Sequence, residues 1–271
     1  MSEPTAPVHP IALITGGTAG IGAAFARALA AKGYDLVLVA RGEARLAEAA
    51  KELADRHGVT VSYLRADLGT TEGCDVVAAR LADRESPIDL LVNNAGGGLA
   101  KSFVRASVAE EEGVLDLNVR AVLRLTHAAL QGMLERRRGE IINVSSVVGF
   151  GPVMPGSSYP AAKAWVTSFS ESIGDSVRRF GVRVMALAPG YTRTEFHQRV
   201  GLDMSHIPAR MWLDADDVAA TALRDLARGK RVSVPDWRYK RTTFAIKHLP
   251  RAMLRRGMRD NRGRITDPPA R

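Results

Sequence analysis

The 271-residue chain contains a single cysteine, Cys74. One thiol excludes an intrachain disulfide and any zinc site built from several cysteines, and it fits a reducing compartment. The plain reading of Cys74 is a small buried side chain. No apolar run approaches the roughly 18 residues that a membrane-spanning helix needs. The opening residues, MSEPTAPVHP, hold neither a basic nor an apolar stretch, so no secretory signal is visible and a cytoplasmic location is expected. Internal repeats, low-complexity tracts and Pro/Gly linkers are also missing. Hydrophobic residues at 46% and charged residues at 25% are ordinary for a globular domain, which argues against disorder and against a coiled coil.

The formal charge is +9, and its distribution matters more than its size. Residues 228–271 hold 14 basic and three acidic residues, a net +11, leaving −2 for the other 227 residues. The body of the chain, residues 1–235, is therefore expected to be nearly neutral, with residues 236–271 as a basic C-terminal extension. No recognition motif accompanies the charge, so no nucleic-acid partner is expected. Trp237, Tyr239, Phe244, Ile246, Leu249, Met253 and Leu254 punctuate the extension, and Leu249-Pro250 suggests a short helix running to Arg256. Basic residues interleaved with apolar ones suit an anionic membrane surface, an acidic partner or a neighbouring subunit. A solvated extension packing its apolar residues near the 191–213 segment is the plainer alternative.

Short β-branched runs alternate with helical patterns over most of the chain. Strands are expected over Ile11–Thr15, Asp35–Ala40, Val59–Arg65, Ile88–Asn93, Glu140–Ser145, Val182–Ala188 and Arg231–Val234. Several are apolar without alternation, as befits strands buried on both faces of a parallel sheet. Helices are expected over Ile21–Lys32, Glu43–Arg56, Thr71–Arg84, a long stretch near Val108–Arg137, Tyr159–Arg179 and Ala215–Arg228. Gly33, Gly58, Gly139 and Gly181 fall just past helix ends, where a left-handed residue is wanted. The pattern predicts one α/β domain with a doubly wound sheet. Residues 191–213 break the rhythm after a strand end and are expected to form a lid.

After the first strand comes TGGTAGIG, Thr15 to Gly22, running directly into a helix. Gly16 permits a tight turn, Gly20 lets backbone approach a pyrophosphate and Gly22 allows close helix–strand packing. A tight strand–helix connection is the competing reading, but strand, glycines and helix occur in the order a dinucleotide requires. The second strand ends in Ala40-Arg41, with Arg45 beyond. Where an NAD site offers a carboxylate to the ribose, this chain offers a guanidinium that can pair with a 2′-phosphate. NADP is therefore expected over NAD, although Arg41 also reads as a surface charge. Asp67, after the third strand, either accepts from the adenine amino group or caps a helix.

Tyr159 and Lys163 lie four apart, on one face of a helix that starts near Ser157–Ser158 and tolerates Pro160 in its first turn. A lysine ammonium beside a phenol is expected to lower the tyrosine pKa toward the range useful for acid–base work. Ser146 stands thirteen residues upstream at the end of a buried strand.

Together TGGTAGIG, Asn93–Gly96 (NNAG), Asn118, Ser146, YPAAK from Tyr159 to Lys163 and Pro189–Thr194 (PGYTRT) resemble the short-chain dehydrogenase/reductase superfamily. They match in order and spacing over roughly residues 10–235. The resemblance implies a Rossmann-type domain with a mostly parallel seven-stranded sheet. It implies catalytic roles for Asn118, Ser146, Tyr159 and Lys163, with Tyr159 moving the proton, Lys163 tuning it and holding the nicotinamide ribose, Ser146 polarising the carbonyl and Asn118 holding a relay water. Asn93 and Gly96 would shape the central strand beside the cofactor.

The implied cofactor contacts are Gly16, Thr18, Gly20 and Ile21 in the glycine loop, Arg41 and Asp67 beyond the next two strands, and Asn94 with Gly96. Tyr159 and Lys163 join them, as do Pro189, Gly190, Thr192 and Thr194, the last at the carboxamide. Two departures stand out: Pro160 follows the tyrosine, and no basic residue lies between Gly16 and Gly20. Ser145 is set aside because the family spacing selects Ser146.

The substrate is expected to be a small apolar carbonyl or alcohol compound. Leu99, Phe103, Val147, Phe150, Val153 and Met154 follow strand ends, and Phe196, Val200, Met204 and Trp212 lie in the lid. The chain looks similar to bacterial ketoacyl reductases and hydroxysteroid dehydrogenases. A homodimer or homotetramer is implied by the family, and no metal is expected, His197 and His206 reading as polar loop residues.

Overall fold

A computed structural model of the chain describes residues 9–151 and 157–249. Seven strands, β1 (Ile11–Thr15), β2 (Asp35–Ala40), β3 (Val61–Arg65), β4 (Leu90–Asn93), β5 (Gly139–Val144), β6 (Val182–Leu187) and β7 (Val232–Ser233), form one sheet in the order β3-β2-β1-β4-β5-β6-β7. Every neighbouring pair is parallel. The chain is thus a doubly wound α/β protein, as the pattern of β-branched runs predicts.

Alternate residues of the central strands feed two cores. From β1, Ala12 and Ile14 face one core while Leu13 faces the other. Helices α1 (Gly20–Ala30), α2 (Glu43–His57) and α8 (Ala215–Ala227) cover the first face. Helices α3 (Thr71–Ala82), α5 (Ala121–Glu135) and α6 (Tyr159–Val177) cover the second. Both faces are sealed, which is why the strands carry no polar alternation. Cys74 lies fully buried on α3 and its thiol donates to the Leu68 carbonyl.

The structure departs from expectation at three places. The long helix near 108–137 is two helices, α4 (Val108–Leu115) and α5, joined by a π-turn over Asp116–Arg120. Gly33, Gly58 and Gly181 do adopt positive φ, but Gly139 does not; Arg137 takes the left-handed role at φ 53°. Gly139 is instead needed for packing, since a Cβ there would lie 2.2 Å from Met133 Cγ. Past β7, Trp237–His248 forms helix α9, capped by Asp236, whose side chain accepts from the Arg238 amide. Two short helices, α7 (Phe196–Val200) and a 3-10 turn at Ala209–Met211, lie within residues 191–213. The helix expected beyond Pro250 lies outside the described residues.

Candidate active site

The strand order reverses between β1 and β4, so the connections leaving their carboxyl ends part and open a crevice there. The glycine loop forms one wall. Gly16 (φ 65°) donates its amide to the Val39 carbonyl at 2.8 Å, which ties the turn to β2. Asn94 secures it from the other side, its amide group donating to the carbonyls of Thr15 (2.9 Å) and Gly16 (3.3 Å). Thr15 Oγ1 in turn accepts from the backbone amides of Asn94 and Ala95. A Cβ on Gly22 would sit 2.2 Å from the Gly16 carbonyl oxygen, and one on Gly20 would meet Thr194 Cβ at 2.9 Å. The turn, the start of α1 and the 189–194 segment therefore close on one another.

No side chain caps α1, which leaves its first amides free for an anionic ligand. Thr18 sits partly exposed in the turn, and Ile21 packs its side chain on the core beneath. Arg41 is exposed just past β2, and no ion pair engages it among the described residues. Its neighbour Arg45 pairs with Glu195 at 3.6 Å. Asp67 is exposed, with Oδ1 accepting from the Gly69 amide; Thr70, not Asp67, caps α3.

The second wall gathers the four residues singled out for chemistry. Asn118 occupies the π-turn, fully buried, its Nδ2 donating to the carbonyls of Gly97 (2.8 Å) and Val114 (2.9 Å). Lys163 is 4% exposed and its ammonium donates to the Val144 carbonyl at the end of β5 (2.9 Å). Asn118 Oδ1 and Lys163 Nζ converge on Gly96, where a Cβ would meet them at 3.0 and 3.3 Å. Ser146 follows β5, its Oγ accepting from the Val148 amide, and its hydroxyl stands near enough to the Tyr159 phenol to favour the ionised form. Ser145 turns the other way, its buried hydroxyl donating to the Lys163 carbonyl. Asn93 likewise serves the scaffold, donating to Thr126 Oγ1 and Asn143 Oδ1 in a buried network between β4, β5 and α5.

Electrostatics in the site run against the expected tyrosine shift. Desolvation pushes the Tyr159 phenol above its ordinary range, and only the Ser146 hydroxyl opposes this. Burial also lowers Lys163, to about 8. The ammonium sits 5.6 Å from the Tyr159 ring centroid and spends a proton on Val144, so it does not offset the phenol's desolvation here.

The 189–194 segment bridges both walls. Pro189 is buried and its carbonyl accepts from the Val147 amide directly after Ser146. Thr192 is buried and donates to the Gly190 carbonyl, while Thr194 stands over Gly20. Residues 191–213 then arch over the crevice and return, with Leu213 pairing to Tyr191–Arg193. Phe196 lies 5.9 Å from Tyr159, ring to ring, and with Val200 it abuts Gly98. Tyr191, Phe196 and Trp212 surround His197, whose Nδ1 is buried without a partner. Phe103 is 65% exposed and lies on the surface. Val147 packs on the core, and Val153 and Met154 lie outside the described residues.

One residue escaped sequence reasoning, and a second was read only as one of several apolar residues of the extension. Glu111 of α4 accepts from Ser158, beside the catalytic candidate Tyr159, and Tyr239 of α9 rests on Gly190. A charge in an acidic run gives no signal of burial, and nothing in the basic run singles out Tyr239 from the other apolar residues of the extension. Among the described residues, no group of three or more His, Cys, Asp or Glu is placed to hold a metal ion.

Comparison with known proteins identifies this arrangement. The family described as short chain dehydrogenase matches residues 10–205. The chain belongs to that family. It is 33% identical over 216 residues to an acetoacetyl-CoA reductase of Allochromatium vinosum, covering 78% of this chain and 88% of the relative. A short-chain dehydrogenase from Sphingobium yanoikuyae, solved in complex with NADPH, superposes with a TM-score of 0.82 at 33% identity, over 96% of this chain and 98% of that one. A bulky-bulky ketone specific alcohol dehydrogenase from Comamonas testosteroni superposes at 0.76 with 29% identity, over 96% and 97%.

This short-chain dehydrogenase is thus an NAD(P)-dependent oxidoreductase with a Rossmann-type fold. Its own residues suit that cofactor. A glycine cradle admits backbone but no side chain, the amides of α1 are uncapped, and Asn118 Oδ1 is buried with no partner.

Proposed function

We propose that this dehydrogenase uses NADPH to reduce the carbonyl group of a small apolar compound, a ketoacyl, steroid or other lipid-like ketone. The observation that carries the reading is the hydroxyl pair of Ser146 and Tyr159, backed by Lys163 and Asn118, facing apolar Phe196. When bound, the nicotinamide cofactor supplies the hydride. Tyr159 gives its proton to the carbonyl oxygen, and its raised pKa keeps that proton in place until the oxygen becomes basic. Ser146 donates to the same oxygen and holds it at the phenol. Lys163 and the free Oδ1 of Asn118 hold the ribose and a water through which Tyr159 is reprotonated. Thr18, Gly20 and Ile21 would present amides to the pyrophosphate, with Gly16, whose own amide is held by Val39, shaping the turn; Pro189, Gly190, Thr192 and Thr194 would close over it, and Arg41 would pair with the 2′-phosphate. Asp67 receives the adenine, while Asn94 and Gly96 fix the floor.

The names of the NADPH-bound Sphingobium relative, the acetoacetyl-CoA reductase and the bulky-ketone dehydrogenase support the cofactor and the substrate class. Tyr159→Phe tests the reading: turnover of a ketone panel with NADPH should vanish while nucleotide binding survives. Retained turnover, or preference for NADH throughout the panel, would overturn it.

A second observation favours contact with an anionic membrane surface. Helix α9 leaves Trp237 (62%) and Phe244 (64%) exposed on the face that also carries Lys240, Arg241 and Lys247. Apolar rings set among cations suit the boundary between headgroups and acyl chains. No helix among the described residues is long and apolar enough to cross a membrane, so the contact would be peripheral. Co-sedimentation with phosphatidylserine vesicles, lost on truncation after Val234, is the expected result. For the homodimer or homotetramer, exposed Leu115 and Leu123 on α4 and α5 offer a surface, which ultracentrifugation tests.

A further inference from the structure

The glycine at 190 poses a question that the cofactor does not answer. Its φ lies outside the left-handed region, so no turn requires it. What requires it is Tyr239, because a Cβ on Gly190 would fall 2.0–2.3 Å from three atoms of that ring. The ring is 3% exposed, while the opposite face of α9 is open to solvent. Its hydroxyl is placed between two backbone groups. It donates to the Met211 carbonyl at 2.6 Å and accepts from the Tyr191 amide at 3.0 Å. Tyr191 and Met211 stand at the outgoing and returning ends of the 191–213 segment, which also meet through Leu213 and through the Trp212 ring, 5.9 Å from that of Tyr191.

We propose that Tyr239 is a positioning residue: its ring on Gly190 and its hydroxyl between Tyr191 and Met211 hold the nucleotide-binding segment and both ends of the lid in one arrangement. The C-terminal helix is then a wall of the active site and not an appendage. The contacts give it reach in two directions. Through Pro189, whose carbonyl accepts from Val147, it bears on the turn that carries Ser146. Through Thr194, which overlies Gly20, it bears on the pyrophosphate loop. Helix α9 also touches the 147–150 turn directly, with Lys247 Nζ 4.7 Å from the Phe150 ring centroid. Phenylalanine would fill the same space, so the hydroxyl is what distinguishes positioning from packing.

Tyr239→Phe removes that hydroxyl and leaves the ring. Nucleotide binding, followed by fluorescence of both NADPH and NADH, needs no substrate and so stands or falls apart from the carbonyl reading. Both dissociation constants should rise about tenfold, the cost of leaving two backbone groups unpaired. Tryptic cleavage after the exposed Arg199 and Arg210 of the lid should accelerate by a similar factor, and the pH profile of turnover should keep its shape. Unchanged binding and unchanged cleavage would overturn the proposal. If that variant does not fold, Gly190→Ala is compared in the parent and in Tyr239→Leu. The added methyl should weaken nucleotide binding far less once the ring is gone, and equal losses in the two backgrounds would equally overturn it.

Discussion

The Glu111 carboxylate accepts from both the backbone amide (2.9 Å) and the hydroxyl (2.5 Å) of Ser158, the residue immediately before Tyr159. Glu111 is 6% exposed and sits on α4, two turns before Asn118. It thereby ties the helix leading into the π-turn that carries one proposed relay residue to the first turn of the helix that carries the proposed acid. Ser158 provides no side-chain cap of its own to α6, and a carboxylate at a helix N-terminus is favourably placed in the helix dipole.

Glu111→Ala leaves two donors at the start of α6 without their acceptor. It is expected to cost about 1–3 kcal/mol of stability and to lower kcat about tenfold or more, with the nucleotide dissociation constant little changed. Glu111→Gln keeps an acceptor oxygen and should recover most of the loss. Denaturant unfolding and steady-state kinetics measure both, and an unaltered kcat in the alanine variant would separate Glu111 from catalysis.

The pair at the heart of the site gives the cofactor-free protein a defined pH signature. Burial lowers Lys163 to about 8 from its ordinary 10.5. Between those values the unfolded chain binds the lysine proton more tightly than the folded one, so this group's contribution to stability rises with pH. Below the window the ammonium is charged in both states and contributes no slope. Tyr159, raised above 10, has the opposite sign, because beyond pH 10 the unfolded phenol ionises first and stability falls. Thermal melts from pH 7 to 10 should show an upward trend that Lys163→Met flattens. Parallel curves for the two proteins would refute the assignment.

The sheet and most helix boundaries were legible because burial on both faces writes itself as unbroken apolar runs such as LVLVA and DLLVN. The glycine loop and the Tyr159–Lys163 pair were legible because fixed spacing on one element needs no tertiary knowledge. What escaped depends on contacts between distant segments. The π-turn holds Asn118 against the Gly97 carbonyl, a contact across 21 residues that no local pattern encodes. Gly190 reads as a loop glycine until the Tyr239 ring is placed upon it, 49 residues later in the chain. Arg137 took the left-handed position assigned to Gly139, because Met133 occupies the space that a side chain at 139 would need. The expected lowering of the Tyr159 pKa failed for the same reason, since spacing places a cation nearby but does not reveal how much desolvation it must overcome.

Arg41 stands exposed beyond β2 with no ion pair among the described residues, whereas neighbouring Arg45 pairs with Glu195. A guanidinium free of other partners is the one available to a 2′-phosphate. Charge-assisted hydrogen bonds to phosphate contribute about 1.5–3 kcal/mol, so Arg41→Asp should shift the NADPH-to-NADH ratio of kcat/KM by about 10- to 100-fold toward NADH. The parallel variant Arg45→Ala should move the ratio much less. A ratio unchanged in Arg41→Asp would place phosphate recognition elsewhere.

Gly98 sets how closely the lid approaches the reacting centre. A Cβ there would meet Phe196 Cζ at 3.5 Å and the Val200 methyls at 3.6 Å, ordinary contact distances, so alanine fits without displacing α7. Anything larger must push Phe196, which stands 5.9 Å from Tyr159, ring centroid to ring centroid. Gly98→Ala should therefore leave kcat for a small ketone within about twofold of the parent. Gly98→Leu adds three more carbons where none fits, and overpacking of that kind costs about 1–3 kcal/mol. If α7 yields, KM for bulky ketones rises about tenfold or more while the nucleotide dissociation constant holds, because the displaced side chains border the proposed carbonyl site and not the glycine loop. Equal effects on bulky and small ketones would mean that Phe196 does not border the substrate.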